Sequence, residues 1–273
     1  MPADLALRVE AHEDRGASHF LLTLATEGAI EAWEPGQFVM LSVSPRDGDP
    51  LLRRPFSIFN AANDPPGALQ IFYKVYGRGT TLLSSARPGD RLRCLAPLGN
   101  GFAPRRLSQE RLLLVAGGIG SASLHPLALR EKAAGRAPQV LYGCRTAADL
   151  AGIEPTRRNG IETMVSTDDG TSGRRGLVTG MLDELLATRG EGKDSWIVCA
   201  CGPTPMMQAT AQICARRGTP CYLSLESTMA CGFGVCVGCV VGTRQEPRIP
   251  GAPLRYRRIC VEGPVFDAAE ISW

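Results

Sequence analysis

The segment RLLLVAGGIGSASLHPLALREKAA (111–134) decides how the chain is read. It opens on a short, continuous apolar run, RLLLVAGG (111–118), whose length and composition suit a strand buried on both faces. Glycines follow, and residues 123–134 take on a helix-like pattern. A strand that turns through glycine into a helix predicts a crossover unit and therefore a parallel sheet. Gly117, Gly118 and Gly120 would let the turn approach a pyrophosphate closely, and the N-terminus of the next helix would add positive potential. The turn departs from G-x-G-x-x-G, because Gly118-x-Gly120-x-x-Ser123 puts serine third. Alone it is a weak sign.

The same alternation continues downstream. QVLYGC (139–144), IETMVST (161–167) and WIVCACG (196–202) read as strands, with helical segments near 178–186 and 205–216. Upstream, residues 5–98 read as short strands, among them QFVMLSV (37–43), LQIFYKVY (69–76) and DRLRCLAP (90–97). They are broken by Pro35-Gly36, Pro65-Pro66-Gly67 and Pro88-Gly89-Asp90. That half is an all-β unit, a sandwich or a barrel. The pattern changes near Pro104, and from Cys221 onward the chain is cysteine-rich with Gly and Pro turns. The expected division is therefore 1–104, 105–220 and 221–273.

Composition narrows the function classes. The 273 residues carry a net charge of +3 with 21% charged residues and no block of like charge, which gives no reason to expect a nucleic-acid partner. Arg255, Arg257 and Arg258 read as a solvated surface or a partner contact. The N-terminal MPADLALRVEAHED lacks a signal peptide's apolar core, and no run approaches the roughly 20 apolar residues of a membrane helix. The expectation is a cytoplasmic protein. In that compartment ten clustered and scattered cysteines suggest metal or redox work rather than disulfides.

The strongest pattern is Cys231-x4-Cys236-x2-Cys239, followed after a spacer by Cys260. It matches the C-x4-C-x2-C…C spacing of plant-type 2Fe–2S ligation. Gly232, Gly234 and Gly238 let the loop curl so that amides can aim at the sulfurs, which would stabilise the charge of a reduced cluster. A structural zinc site usually pairs two C-x2-C knuckles, and the extra cysteine five residues earlier fits that poorly. Cys94, Cys144, Cys199, Cys201, Cys214 and Cys221 read as small buried hydrophobes, with Cys201 also a candidate for a cofactor pocket. His12, His19 and His125 are unclustered, and no hydrolase constellation is present.

Two further stretches carry a resemblance. Arg53-Arg54-Pro55-Phe56-Ser57-Ile58 in the β-rich half resembles the Arg-x-[Tyr/Phe]-Ser motif of the ferredoxin–NAD(P) reductase superfamily. The resemblance implies that Arg54 holds an FAD pyrophosphate through its guanidinium fork, with Pro55 beside it. It also implies that Phe56 packs on the flavin and that Ser57 hydrogen-bonds near its redox edge. Phe72-Tyr73-Lys74 and Gly79-Thr80 are further matches. Cys201-Gly202-Pro203-Thr204-Pro205-Met206 after the strand WIVCA resembles the superfamily's C-G-P-x-x-M turn beside the nicotinamide. A merely capped helix start is the plainer reading of that turn. Asp168 or Asp169 would bind ribose hydroxyls and favour NAD, whereas Arg174 and Arg175 would suit a 2′-phosphate; the reading favours NAD.

At finer grain LLRRPFSI, PLGNGF (97–102), CGPTPMM, YLSLESTMACGFGVCVGC (222–239) and ICVEGPVF (259–266) resemble the electron-transfer subunits of NAD-dependent dihydroorotate dehydrogenases. That resemblance implies an FAD-binding β-barrel, an α/β parallel-sheet nucleotide-binding domain and a small C-terminal 2Fe–2S lobe. It implies FAD, a 2Fe–2S cluster and NAD(H) as cofactors. It further implies a large FMN-containing partner subunit that oxidises dihydroorotate, in a heterotetramer serving pyrimidine synthesis. A flavin must stand between nicotinamide and cluster, because one exchanges electron pairs and the other single electrons. Rival readings are the small subunit of an NAD(P)H–ferredoxin transhydrogenase or cytosolic hydrogenase, and a non-catalytic redox sensor.

Overall fold

A computed structural model of the chain describes residues 2–26, 30, 32–44, 49–59, 67–102, 111–188, 196–244 and 255–273. Pro65-Pro66 and the boundary expected at 104 lie outside the described residues. The β-rich half forms a six-stranded antiparallel sheet from β1 (Ala3–Gly16), β2 (His19–Ala25), β3 (Phe38–Leu41), β4 (Arg54–Ser57), β5 (Ala68–Lys74) and β6 (Arg91–Leu98). The strand order is β4-β3-β6-β1-β2-β5. A short helix, α1 (Arg78–Leu83), follows β5.

Alternation decides which face turns inward. In β6, Leu92, Cys94, Ala96 and Leu98 are buried while Arg91 and Arg93 face water. The outer strands β4 and β5 meet edge to edge, with Phe56 packed T-shaped on Tyr73 at 5.7 Å. The sheet thus curls into a nearly closed barrel rather than a sandwich, around Val9, Leu22, Leu24, Val39, Leu41 and Ile71.

The second sheet combines β7 (Arg111–Gly117), β8 (Gln139–Cys144), β9 (Glu162–Thr167), β10 (Arg174–Arg175), β11 (Trp196–Cys201) and β12 (Cys221–Ser224). It ends on β15 (Val265–Asp267). Its order is β10-β9-β8-β7-β11-β12-β15, parallel throughout except for β15. The continuous apolar strands are covered on both faces. α2 (Ser121–Ala133) sends Leu124, Leu127 and Ala128 onto Leu112, Leu114 and Ile197. α4 (Val178–Ala187) and α5 (Thr204–Arg216) send Leu182, Met207 and Ile213 onto Leu113, Val115 and Val198. α2 begins at Ser121, earlier than its pattern suggested, because the glycine turn runs directly into it. α3 (Glu154–Arg158) is a short piece beside α2.

β12 belongs to the stretch that the sequence reading groups with the cysteine-rich lobe, yet it pairs with β11 and extends the parallel sheet. The same stretch supplies β15, which pairs with β12, and a two-stranded ribbon, β13 (Val240–Thr243) with β14 (Arg255–Arg258). No helix among the described residues is long and apolar enough to cross a membrane.

Two junctions create the crevices of the molecule. β7 has β8 on one side and β11 on the other, so the strand order reverses there and opens a crevice at the C-terminal ends of β7 and β11. The barrel meets this sheet through an aromatic joint, in which Leu21, Phe59 and Phe72 pack on Ala122 of α2. Phe59 also stacks on His125 at 4.3 Å.

Candidate functional site

Two cavities open side by side along the joint. The first, of about 610 Å³, is lined by Arg54, Pro55, Phe56 and Ser57 of β4 and by Phe72, Tyr73 and Lys74 of β5. Gly79 and Thr80 of α1 close one end. Gly79 leaves room for Arg54: a Cβ would stand 3.1 Å from its Nε, so the side chain would have to shift by a few tenths of an ångström. The Arg54 guanidinium donates to the Leu52 carbonyl at 2.6 Å, which fixes its direction. Every residue that the sequence reading assigns to a flavin lines this one cavity, whose volume lies in the range of cofactor sites.

The second cavity, of about 550 Å³, sits at the crevice between β7 and β11. Gly117, Gly118, Gly120, Gly202, Pro203, Met206 and Asp168 line it. Its two turns interlock without room for side chains. A Cβ on Gly117 would lie 2.6 Å from Sδ of Met206 and 2.8 Å from Cδ of Pro203. A Cβ on Gly202 would lie 3.0 Å from the Gly117 backbone. Gly118 has φ of +52°, the left-handed region that favours glycine. Such a bare backbone cradle suits a pyrophosphate.

The remaining nucleotide candidates separate. Asp169 turns back on its own loop and accepts from the Thr171 hydroxyl at 2.7 Å. Arg174 is held by Glu184 in a two-pronged pair, and neither Arg174 nor Arg175 lines the cavity. Cys201 is buried behind the turn rather than on the cavity wall. Its thiol faces Glu226, with Sγ 3.9 Å from Oε1.

Lys74, Tyr76, Ile119 and Glu226 line both cavities. Sequence reasoning assigned no role to Tyr76 or Glu226, although Tyr76 ends the stretch LQIFYKVY and Glu226 lies within YLSLESTMACGFGVCVGC. Glu226 is open to the cavities but flanked by protein elsewhere. Desolvation raises its carboxyl above the ordinary range, against a smaller pull downward from Cys201. Behind it, Ser123 and Ser224 share a buried hydroxyl contact at 2.9 Å.

The wall of the first cavity includes Ser224, Leu225, Ser227, Thr228 and Met229, and the chain reaches Cys231 two residues later. The cysteine loop packs on the barrel: a Cβ on Gly232 would stand 2.8 Å from Sδ of Met40. Cys239 and Cys260 are buried in one core with Phe38, Met40 and Leu98, while Cys236 is exposed. Burial opposes ionisation of Cys231, but it is outweighed by backbone N–H donors of Cys236, Phe233 and Val235 and by the Cys236 side chain. The thiol is brought down to about 6. Cys260 is pushed up to about 12, first by burial and then by its contact with Cys239.

Cys231 is in contact with Cys236 and Cys260 with Cys239, and the charge of Cys231 reaches Cys260 as well. Among the described residues no three His, Cys, Asp or Glu side chains close on a single ion position. Two pairs of thiolates are what two irons need, and amides aimed at a sulfur suit a cluster that gains negative charge. Arg258 is not a free surface charge, since it pairs with Glu262 at 2.6 Å and donates to the Gly234 carbonyl of the loop at 3.3 Å.

Comparison with known proteins agrees with this geometry. The family described as the iron–sulfur cluster binding domain of dihydroorotate dehydrogenase B matches residues 226–272. The chain is 39% identical over 254 residues to the dihydroorotate dehydrogenase B (NAD(+)) electron transfer subunit of Geobacillus kaustophilus, covering 92% of this chain and 91% of that one. It is 37% identical over 241 residues to the corresponding homolog of Aquifex aeolicus, covering 87% and 86%. Among solved structures, the NADH-dependent reduced ferredoxin–NADP oxidoreductase studied for flavin-based electron bifurcation superposes with a TM-score of 0.81 at 27% identity. That match covers 100% of this chain and 92% of the other. With relatives this similar over nearly its whole length, the chain belongs to the family of electron transfer subunits of dihydroorotate dehydrogenase B (NAD(+)).

Proposed function

We propose that this chain carries electrons between NAD(H) and a partner catalytic subunit, through FAD and a 2Fe–2S cluster. The observation that carries the proposal is the contiguity of three sites. Two cofactor-sized cavities share Lys74, Tyr76, Ile119 and Glu226, and the wall of the first runs on into the cysteine loop. When bound, FAD would exchange hydride for single electrons and the cluster would offer a one-electron port.

The chain's own residues would do the holding. Arg54, with Gly79 and Thr80, would grip the FAD pyrophosphate, and Pro55, Phe56, Ser57, Phe72, Tyr73 and Lys74 would surround the flavin. Gly117, Gly118 and Gly120 would cradle the dinucleotide's pyrophosphate, and Asp168 would meet its adenosine ribose. Gly202, Pro203 and Met206 would flank the nicotinamide, with Cys201 behind them. Cys231, Cys236, Cys239 and Cys260 would hold the irons. The division into 1–104, 105–220 and 221–273 stands as our proposal, with β12 tying the last part to the sheet.

The partner would be an FMN-containing subunit that oxidises dihydroorotate to orotate, in a cytoplasmic heterotetramer. Electrons would then run inward through the cluster and leave on NAD+. Exposed Phe233, Val235 and Val237 around exposed Cys236 support docking at the cluster. Purification of the tagged chain from its native host tests this. An FMN-containing companion that reduces NAD+ in a dihydroorotate-dependent reaction supports it. A companion that works instead on reduced ferredoxin favours the transhydrogenase reading, to which the full-length structural likeness lends weight.

A further inference from the structure

The two rings that must exchange a hydride rest on different halves of the molecule, the flavin on the barrel and the nicotinamide on the parallel sheet. Reacting atoms must come within about 3–3.5 Å, and a misplacement of about 1 Å costs on the order of 100-fold in rate. Something must therefore fix the angle between the halves at the cavities. At the back, the joint of Leu21, Phe59, Phe72 and Ala122, with Phe59 stacked on His125, holds the halves together by packing away from the cavities' mouths. At the front, Lys74 at the end of β5 reaches across to Asp149 in the turn Ala147–Gly152. Among the described residues no other ion pair joins the barrel strands to the parallel sheet.

Both ends of this pair are anchored. Lys74 stands opposite His19 in the β2–β5 register, and His19 stacks on Phe72 at 5.7 Å. The Asp149 backbone carbonyl accepts from the hydroxyl of buried Tyr142 at 2.8 Å. Its second carboxylate oxygen lies 4.0 Å from Arg145. The two side chains are only 19% and 14% exposed, so water screens them little. Lys74 lines both cavities and Asp149 lines the second, which puts the pair between the two rings' sites.

We propose that Lys74 and Asp149 form a positioning pair that sets the angle between barrel and sheet, and through it the approach of nicotinamide to flavin. The inference rests on the proposed electron path. The test uses the full chain carrying FAD and cluster, with Asp149→Asn, Lys74→Met and the double variant. The flavin's bleaching is followed after rapid mixing with NADH. The limiting rate should fall about tenfold or more in each single variant, while the half-saturating NADH concentration stays within about twofold. The double variant should be no slower than the worse single, because the pair acts as a unit.

Hydrogen exchange supplies a readout apart from turnover: the amides of residues 149–153 should exchange faster in the variants. Should a lone buried charge prevent folding, the double variant carries the test. Faster exchange with an unchanged limiting rate would mean a purely structural clasp and would overturn the proposal. A change confined to half-saturation would mark a binding group and overturn it equally. A wild-type flavin that NADH does not bleach would sink the functional reading itself, a distinguishable failure.

Discussion

Replacing Gly120 by alanine probes the nucleotide cavity where the backbone leaves least room. A Cβ at residue 120 would stand 2.5 Å from the carbonyl carbon of Cys201 and 2.8 Å from the Gly202 nitrogen, with the Cys201 oxygen nearer still. Carbon atoms pack at about 3.5–4.0 Å, so the overlap is roughly 1 Å. The obstacles are backbone atoms of the adjacent strand end, and no rotamer change relieves them. The two turns must part. Overpacking of this kind costs about 1–3 kcal/mol, or a Tm lower by roughly 2–12 °C for a chain of this size. A displacement of about 1 Å at the reacting centre should slow hydride transfer on the order of 100-fold. Gly180→Ala on α4 is the control, because nothing beyond its own helix lies within 4 Å of a Cβ there and it lines neither cavity. Its backbone is helical rather than left-handed, so the change should alter stability by no more than about 1 kcal/mol, with the interlocked turns left in place. The assay is flavin bleaching by NADH in rapid mixing, with FAD and iron content measured on the same samples. Gly120→Ala should keep both cofactors and lose rate, while Gly180→Ala keeps its rate. Equal losses in the two variants, or none in Gly120→Ala, would refute the argument that close backbone approach builds this cavity.

The same geometry sets other outcomes. Cys236→Ser removes the exposed thiol of the four, and it should abolish electron exchange with the partner while NADH still bleaches the flavin. Asp168→Ser removes a carboxylate from the nucleotide cavity, and the ratio of kcat/KM for NADH over NADPH should fall about tenfold or more, equivalent to about 1.4 kcal/mol. His125 is held neutral by burial, its value brought from 6.5 down to about 4. Between those values the unfolded chain binds the extra proton, so stability is lost as pH falls from 6.5 toward 4, by on the order of 3 kcal/mol. His125→Gln should flatten that part of a plot of Tm against pH.

Much of the fold and site was legible in the sequence, for physical reasons that differ from element to element. QVLYGC is a strand at the residues expected, because a short apolar run between turns has few alternatives. The four-cysteine spacing points to residues 226–272, the stretch that the iron–sulfur family matches, because spacing encodes geometry directly. Strand β1, by contrast, spans 14 residues with irregular register near Val9 and Asp14, and its mixed alternation hid its length. The barrel's closure depends on Phe56 meeting Tyr73 across the gap between β4 and β5, a pairing no local pattern announces. Glu226 was missed because its significance comes from standing between two cavities, and Lys74–Asp149 because the partners lie 75 residues apart. Arg258 reads in the sequence as solvated surface or a partner contact, because its bond to the Gly234 carbonyl joins residues 24 apart.

The most direct test of the electron path is an anaerobic titration of the purified chain with NADH, monitored by electron paramagnetic resonance. The proposed path predicts bleaching of one FAD per chain and the appearance of a reduced 2Fe–2S signal whose iron and sulfide content match one cluster. A folded chain that lacks iron and sulfide, or one whose flavin bleaches while no cluster signal ever appears, contradicts it.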